Sequence, residues 1–209
     1  MIAVPSQLAP SRRQRKSDVT KSRLLDAGLG AFLERGYDAT TLSEITTRAD
    51  LGTGTLYLYF PDKRTLYEAV VRRALSELYT RWSALAGEDD QTAQLLSMVK
   101  VAIEYFATHP QESKLFLLDG PPVEGWLVPE VAGVMAGFID GPQPVLRASL
   151  VIGAALAAGR HQVLGGKVKT RGLLDATLAF CAGGLLGGEA REKARGRRPG
   201  ADASRRRDK

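Results

Sequence analysis

Residues 40–63 read TTLSEITTRADLGTGTLYLYFPDK, and this stretch holds two short helix patterns separated by a turn. Thr41, followed three residues later by Glu44, forms a capping box, the arrangement that begins many helices. Ile45 and Ala49 then recur at helical spacing. The stretch therefore begins with a predicted helix of about two turns whose start is well defined.

The turn after this first pattern is short, and a second helix follows it. Asp50 tolerates the left-handed backbone that ends a helix, and the next two residues leave room only for a tight corner. We predict the second helix from Thr53 to Phe60, because Pro61 cannot continue it. Two helices joined in this way predict a helix-turn-helix, whose second helix enters the major groove of DNA.

The second helix has one face suited to a core and another suited to DNA. Leu56 and Phe60 lie four residues apart and are predicted to face inward. Threonine and tyrosine hydroxyls can donate to phosphates, threonine methyls can touch a thymine methyl, and a lysine can pair with a phosphate. The residues predicted to contact DNA are Thr41, Thr53, Gly54, Thr55, Tyr57, Leu58, Tyr59 and Lys63. An alternative is that the tyrosines only cover a small three-helix core.

This stretch resembles the DNA-binding domain of the TetR (tetracycline-repressor) family over about residues 20 to 70. The positions that match the family pattern are Ile45, Ala49, Gly54, Thr55, Leu56, Tyr57, Tyr59, Phe60, Lys63 and Leu66. The sequence departs from the pattern at Thr46, Asp50, Leu51 and Gly52, and Gly52 is a weaker helix N-cap than the serine of the family. The resemblance implies a small-molecule effector pocket in the second half of the chain and a dimer interface formed by the last two long helices.

The net charge of +6 and the pI near 9.6 invite a nucleic-acid interpretation, but most of this charge lies near the ends of the chain. Residues 12–16 carry four Lys or Arg, and residues 189–209 carry nine Lys or Arg against four Asp or Glu. Residues 17–70 are slightly acidic. The prediction of DNA binding therefore depends on where individual side chains lie and not on overall basicity.

Four segments are predicted from composition and pattern. Residues 1–16 form a disordered basic arm, either a solvated tail or a phosphate-tracking arm; residues 17–70 form the DNA-binding domain; residues 71–188 form a helical effector-binding and dimerisation domain; residues 189–209 form a disordered basic tail. Asp62 is predicted to cap one long helix that runs to about Ala86 and belongs to both domains. A polar turn at 87–91 follows it.

All predicted elements are helices, which makes the fold class all-α: a three-helix N-terminal helix-turn-helix domain followed by a C-terminal helical domain. The first helix extends from about Ser17 to Arg35 and ends at Gly36. Further helices are predicted at 92–108, around 115–118, from about Pro129 to Phe138, at 144–164 and at 171–186.

The last two helices carry small residues along apolar stripes. One stripe contains Leu146, Leu150, Gly153, Ala157, His161 and Leu164, and the other contains Leu174, Leu178, Cys181 and Leu185. Two such helices from each of two subunits can form a four-helix bundle. We predict a homodimer, because two major-groove half-sites need a two-fold partner. An intramolecular helix pair is the alternative.

Apolar residues from several helices in the middle of the chain predict a cavity for a small organic effector. They are Met98, Ala102, Tyr105, Phe106, Phe116, Trp126, Met135 and Phe138. Ordinary core packing is the alternative for each of them. Glu104 and Arg160 are the charges noted nearby, so the charge of the effector stays undecided.

Other classes of function find little support. The single cysteine, Cys181, excludes an internal disulfide or a cysteine-based zinc site, and no signal peptide or membrane-length apolar run is present. No hydrolase, metalloprotease or phosphate-loop motif occurs. We expect a cytoplasmic protein that is not an enzyme and that has no cofactor or metal.

The resulting prediction is a ligand-responsive repressor that binds a palindromic double-stranded DNA operator as a homodimer. The effector would shift the helix that ends near Ala86 and thereby change the spacing of the two DNA-reading domains. The alternative function is a ligand-independent DNA-binding or architectural dimer whose basic tails dominate its affinity.

Overall fold

A computed structural model of the protein describes residues 11–85, 91–139, 142–166 and 168–196. No strand occurs in these ranges, and the predicted all-α class is confirmed. The helices are α1 (Arg12–Ala39), α2 (Leu42–Arg48), α3 (Thr53–Tyr57), α4 (Lys63–Ala74), α5 (Ser76–Ser83), α6 (Gln91–Thr108), α7 (Pro110–Leu117), α8 (Leu127–Met135), α9 (Pro144–Val163) and α10 (Thr170–Gly196). Two 3-10 helices lie at Val123–Gly125 and Ala136–Phe138.

Helices α1 to α4 form a small N-terminal unit around a shared apolar core. α1 packs on α4 and on α2, and α2 packs on α3. Leu24, Ile45, Leu56 and Leu66, one from each helix, have no exposed surface. These are positions at which apolar residues recur with helical spacing, so periodicity alone predicts this core.

The ends of α1 differ in how well the sequence predicts them. Gly36 has a φ of +76°, outside the helical region, and it breaks the helix where the sequence predicts its end. The start is different: residues 12–16 are helical, and the Ser11 hydroxyl accepts a hydrogen bond of 3.1 Å from the Gln14 amide. The prediction of a disordered arm is therefore wrong for residues 12–16, because Ser11 supplies an N-cap.

The structure also differs from the prediction for the first part of the C-terminal tail. Residues 189–196 are helical, because α10 continues through them to Gly196. The prediction of disorder is therefore wrong for this part of the tail. Residues 1–10 of the predicted arm and residues 197–209 of the tail lie outside the described residues.

The predicted long helix after Asp62 is divided into α4 and α5. Leu75 separates them with a ψ of 1°, and its side chain is only 3% exposed. The apolar spacing continues across this residue because α4 and α5 both bury one face, so the pattern does not reveal the break. The predicted boundary at 87–91 falls largely on residues 86–90, which lie outside the described residues.

The second half of the protein is arranged around α9, which contacts α6, α7, α8 and α10. Its buried face is made of small and branched residues, among them Ala148, Val151, Ile152, Ala155 and Ala158. Along the described segments, no helix combines the length and the apolar content needed to cross a bilayer.

Side chains of α4 connect the N-terminal unit to the second half. The Tyr67 hydroxyl donates to the Leu115 carbonyl oxygen at 3.1 Å. The guanidinium of Arg72 binds the Glu130 carboxylate at 3.1 Å. A third bond runs from the Tyr105 hydroxyl on α6 to the Ala74 carbonyl oxygen at 2.7 Å. Helix α4 is therefore held by α7 near its middle and by α6 and α8 at its last turn.

Candidate nucleic-acid interface and ligand cavity

The start of α2 has the capping box that the sequence predicts. The Thr41 amide donates to Glu44 Oε2 at 2.9 Å, and the Glu44 amide donates to Thr41 Oγ1 at 3.3 Å. The hydrogen bond from the Thr41 backbone, followed by the one from its side chain, holds the pKa of Glu44 below its usual value. The Thr41 hydroxyl also donates to Glu44 Oε2 at 3.0 Å, so it orders α2 as well as lying on the exposed surface.

The turn between α2 and α3 has the predicted left-handed residue. Asp50 has a φ of +50°, and Gly52 caps α3 without a side-chain hydrogen bond. Arg23 on α1 closes the turn, because its guanidinium donates to the Ala49 carbonyl oxygen at 2.6 Å. No local pattern predicts this contact, since Arg23 lies far from the turn along the chain.

Helix α3 is fixed by its buried side chains and presents the others to solvent. Leu56 is 0% exposed and Phe60, just beyond the helix, is 2% exposed, as predicted. Leu58 is 83% exposed and Tyr57 is 53% exposed. Thr53 and Gly54 are also exposed, whereas Thr55 and Tyr59 are half-buried. The alternative that both tyrosines only cover the core therefore fits Tyr59 but not Tyr57.

The structure gives Lys63 a role different from the predicted phosphate contact. Its ammonium group donates to three backbone carbonyl oxygens, those of Tyr37 at 2.8 Å, Thr40 at 3.0 Å and Asp38 at 3.2 Å. An ammonium group has three donors, and all three are used here. Lys63 therefore ties the start of α4 to the chain that follows Gly36, and it is not available to a phosphate in this conformation.

Several cations around the N-terminal unit are paired with carboxylates. The exposed or half-exposed pairs are Arg35 with Glu44, Arg48 with Glu34 and Arg64 with Glu68. Ion pairs of this kind contribute little to stability, so their cations can exchange a carboxylate for a phosphate at small cost. The first two turns of α1 add further exposed cations, Arg12, Arg13 and Lys16.

A cavity lies in the second half of the protein and extends to the junction of α4 and α5. Its volume is about 50 Å³. Five of the eight predicted ligand residues line it, namely Met98, Ala102, Phe106, Phe116 and Met135. The lining residues that the sequence did not predict are Leu75, Leu78, Tyr79, Trp82, Val99, Leu127, Val128, Val131, Val151, Ile152, Ala155 and Leu156.

Two of the predicted ligand residues do not reach this cavity. Tyr105 stacks on the His109 ring at 4.2 Å between ring centres, and burial raises the pKa of Tyr105 to about 12. Trp126 lies under the Arg72 guanidinium, 4.8 Å from the centre of its ring system. Neither side chain lines the cavity, because Tyr105 contacts Ala74 and Trp126 contacts Arg72, both at the end of α4. The side chain of Phe138 lies outside the described residues.

The cavity has an uncharged lining. Among the described residues that form it, the one titratable side chain is Tyr79, whose pKa is raised first by burial and then by the charge of Glu130. The Tyr79 hydroxyl is buried and has no hydrogen-bond partner within the described structure. The indole nitrogen of Trp82 donates to the Met98 carbonyl oxygen at 2.9 Å and is therefore satisfied.

The apolar stripe predicted to form a dimer interface is exposed on α9, whereas the one predicted on α10 is not. All six residues of the predicted α9 stripe are exposed, among them Leu150 at 62% and Leu164 at 70%. On α10, Cys181 is only 2% exposed and packs inward, whereas Phe180 is 68% exposed. The predicted α10 stripe is therefore the inner face of this helix, because it packs on α6 and α9. The side chain of Leu185 lies outside the described residues.

Comparison with known proteins agrees with this architecture. Residues 24–70 match the profile described as bacterial regulatory proteins, tetR family. The HTH-type transcriptional regulator RutR of Escherichia coli strain K12 is 30% identical over 132 residues, which are 62% of this chain and 61% of RutR. The chain thus spans about three fifths of the length of this relative.

Solved structures of similar fold extend the match beyond the N-terminal unit. A TetR transcriptional regulator from Rhodococcus sp. RHA1 is 18% identical with a TM-score of 0.58, covering 84% of this chain and 98% of that protein. RolR, solved with the ligand resorcinol, is 23% identical with a TM-score of 0.52, covering 91% of this chain and 99% of RolR. These relatives are regulators and not enzymes, as predicted. The N-terminal unit is therefore similar to the tetR family over residues 24–70, and the helical domain behind it shares the fold of these solved proteins.

Proposed function

We propose that this protein is a sequence-specific DNA-binding transcriptional regulator whose helix α3 enters the major groove. The observation that carries the proposal is the division of α3 and its end into buried and exposed residues: Leu56 and Phe60 fix it, and Tyr57 and Leu58 project from it. The family match over residues 24–70 supports the same function. A short helix held in this way can present side chains to base edges without disturbing its own core.

We further propose that it acts as a homodimer through α9 and α10. Val145, Leu146, Leu150 and Phe180 are each more than half exposed in the single chain. Exposed large apolar side chains on two helices that contact each other are typical of a protein interface. A two-fold dimer would present two copies of α3 to an operator with inverted half-sites, which the proposed mechanism requires.

The proposed regulation is release of DNA by an uncharged effector in the cavity. RolR, a protein of similar fold, was solved with resorcinol, a small neutral molecule. Leu75 lines the cavity and also joins α4 to α5, so an effector that moved Leu75 would move the last turn of α4. An effector releases DNA only if it prefers the conformation that binds DNA poorly.

A ligand-independent DNA-binding dimer is a second candidate function. The cavity volume of about 50 Å³ favours it, because pockets for drug-sized ligands are usually about 300–1,000 Å³. An effector larger than a few atoms would have to open the cavity. The basic residues of the C-terminal tail would then contribute a larger share of DNA affinity.

Selection from a pool of random duplexes tests the proposed function directly. Full-length protein should enrich an inverted repeat, and a Leu150→Asp variant should be monomeric and bind that repeat weakly. Val134→Asp is the matched control, because Val134 is also exposed, at 63%, but lies on α8. Failure to enrich any sequence, or dimerisation unaffected by Leu150→Asp, would contradict the respective parts of the proposal.

A second experiment separates the two candidate functions. Resorcinol and other small neutral aromatic compounds are added to the protein–operator complex, with Ala155→Leu as a variant whose side chain fills the cavity. A ligand-responsive regulator should release DNA with at least one compound, and the variant should not respond. If no compound acts and deletion of residues 197–209 removes most of the affinity, the ligand-independent function is favoured.

A further inference from the structure

Helix α3, which is proposed to enter the major groove, lacks the side chains that make the strongest hydrogen bonds to bases. α3 reads TGTLY, and Leu58 follows it. Guanine is usually read by arginine or lysine, adenine by asparagine or glutamine, and cytosine by aspartate or glutamate. None of these residue types occurs between Thr53 and Phe60. Sequence discrimination by this segment must therefore come from hydroxyls, ring edges and apolar contacts.

The most exposed large apolar side chain of the N-terminal unit lies in this segment. Leu58 is 83% exposed, more than any other large hydrophobic residue whose exposure the structure describes. Its amide donates to the Thr55 carbonyl oxygen at 3.3 Å, so its backbone continues the turn of α3. With Leu56 and Phe60 buried on one side, the Leu58 side chain projects from the other.

Isolated exposed leucines are common on protein surfaces, so exposure alone carries no functional meaning. Here the exposed leucine lies at the end of the helix proposed to enter the major groove, and its neighbours cannot read bases through paired hydrogen bonds. The apolar group that DNA offers in the major groove is the C5 methyl of thymine. Burying that methyl against Leu58 removes apolar surface of both partners from water.

We propose that Leu58 is a specificity-determining residue that recognises a thymine methyl in each operator half-site. The inference rests on the proposed function, since it requires α3 in the major groove. It also states what the operator must contain: a thymine at the position facing Leu58, where cytosine, which lacks the methyl, binds less well. 5-Methylcytosine at that position restores the methyl.

The test removes single methyl groups from DNA. An operator is first selected by the full-length protein from random duplexes, and each thymine is then replaced in turn by uracil, which keeps the base pair and loses the C5 methyl. In each half-site, one of these single replacements should weaken binding by wild-type protein about fourfold. This is the value expected for the loss of one buried methyl group. The Leu58→Ala variant should not distinguish thymine from uracil at that position.

A control variant and three outcomes make the test decisive. Val134→Ala, at an exposed site on α8, should show the wild-type response to uracil. If no operator is selected, the proposed function fails, and the inference about Leu58 fails with it because it requires α3 in the major groove. If an operator is selected but uracil has no effect, or has the same effect on Leu58→Ala as on wild type, Leu58 does not recognise thymine and the proposed function survives.

Discussion

The ammonium nitrogen of Lys63 lies 4.3 Å from the centre of the Tyr37 ring and 2.8 Å from the Tyr37 carbonyl oxygen, to which it donates. The cation thus meets both the ring face and the backbone of one residue. Tyr37 in turn packs edge-on against Tyr67 of α4, with ring centres 5.0 Å apart. Lys63 and Tyr37 therefore fix where α1 ends relative to the start of α4, and α2 and α3 lie between these two points in the chain.

Substitution of Lys63 by alanine should destabilise the N-terminal unit without removing a phosphate contact. Loss of charge-assisted hydrogen bonds and of the ring contact is expected to cost roughly 1–3 kcal/mol of unfolding free energy. The slope of log affinity against log salt concentration on operator DNA should stay unchanged when it is measured under conditions in which the variant is folded. Arg64→Ala, at an exposed residue paired with Glu68, serves as the stability control.

The opposite result would support the prediction from sequence alone. If Lys63→Ala left stability unaltered and reduced the salt slope by roughly 0.9, Lys63 would contact a phosphate in the complex.

Truncation of Leu56 and of Leu58 to alanine should have very different effects on the free energy of unfolding. Leu56→Ala removes a side chain with no exposed surface and should cost about 2–5 kcal/mol of unfolding free energy. Leu58→Ala removes one that is 83% exposed and should change stability by less than about 0.5 kcal/mol. Chemical denaturation of both variants measures the difference. Equal losses would mean that Leu58 is buried in solution and that α3 is oriented differently.

The features that sequence predicted correctly are local ones. The capping box of Thr41 and Glu44, the helix break at Gly36 and the left-handed Asp50 each depend on a few neighbouring residues. The inward positions of Leu56 and Phe60 follow from spacing along one helix. For this reason the helix-turn-helix and much of its exposed surface could be predicted from the order of the residues alone.

The features that sequence did not predict depend on contacts between distant segments. The sequence predicts that Lys63 is free to bind a phosphate, whereas in the structure its ammonium group donates to the Tyr37 carbonyl oxygen near the end of α1. The sequence does not reveal the break at Leu75 because apolar spacing continues through it. Tyr105 and Trp126 contact the end of α4, and these contacts depend on residues far away in the sequence. The inner face of α10 is likewise set by α6 and α9, since apolar residues occur on both of its faces.

Alanine should be tolerated poorly at Gly159 and well at Gly133. A methyl group at Gly159 on α9 would lie 2.6 Å from Phe106 and 2.9 Å from Leu117, whereas nothing lies within 4 Å at Gly133 on α8. Overpacking is expected to cost about 1–3 kcal/mol at Gly159, and higher helix propensity should stabilise Gly133→Ala by about 0.5–1 kcal/mol. Thermal unfolding of both variants compares them. A Gly159→Ala protein as stable as wild type would show that the Phe106 side chain moves aside freely.

Asp62 should make the stability of the protein depend on pH in the acid range. Its carboxylate accepts a hydrogen bond of 2.7 Å from the Thr65 amide at the start of α4, and this bond is the main reason that the pKa of Asp62 lies below its ordinary value. A lowered pKa in the folded state stabilises the protein above the unfolded pKa, and this stabilisation is lost as the pH falls through the folded pKa. Asparagine keeps a capping oxygen but no charge.

The measurement for Asp62 is the difference in melting temperature between wild type and Asp62→Asn at two pH values. Wild type should be the more stable protein at pH 7, and the difference should shrink below about pH 4. Other carboxylates titrate in both proteins, so the difference isolates Asp62. A difference that is the same at pH 7 and pH 3 would show that the charge of Asp62 does not stabilise α4.

Cys181 should behave as a core residue and not as a reactive thiol. Its side chain is 2% exposed, and burial raises the pKa of the thiol, so the thiolate that reacts is scarce at neutral pH. Modification by a thiol reagent at pH 7.5 should be slow in native protein and fast in denaturant. A Val134→Cys variant in a Cys181→Ser background, with the thiol at an exposed site on α8, should react rapidly in the native state. Equally rapid reaction of native wild-type protein would mean that α10 opens on the time scale of the assay, and Cys181 would then be accessible to oxidants.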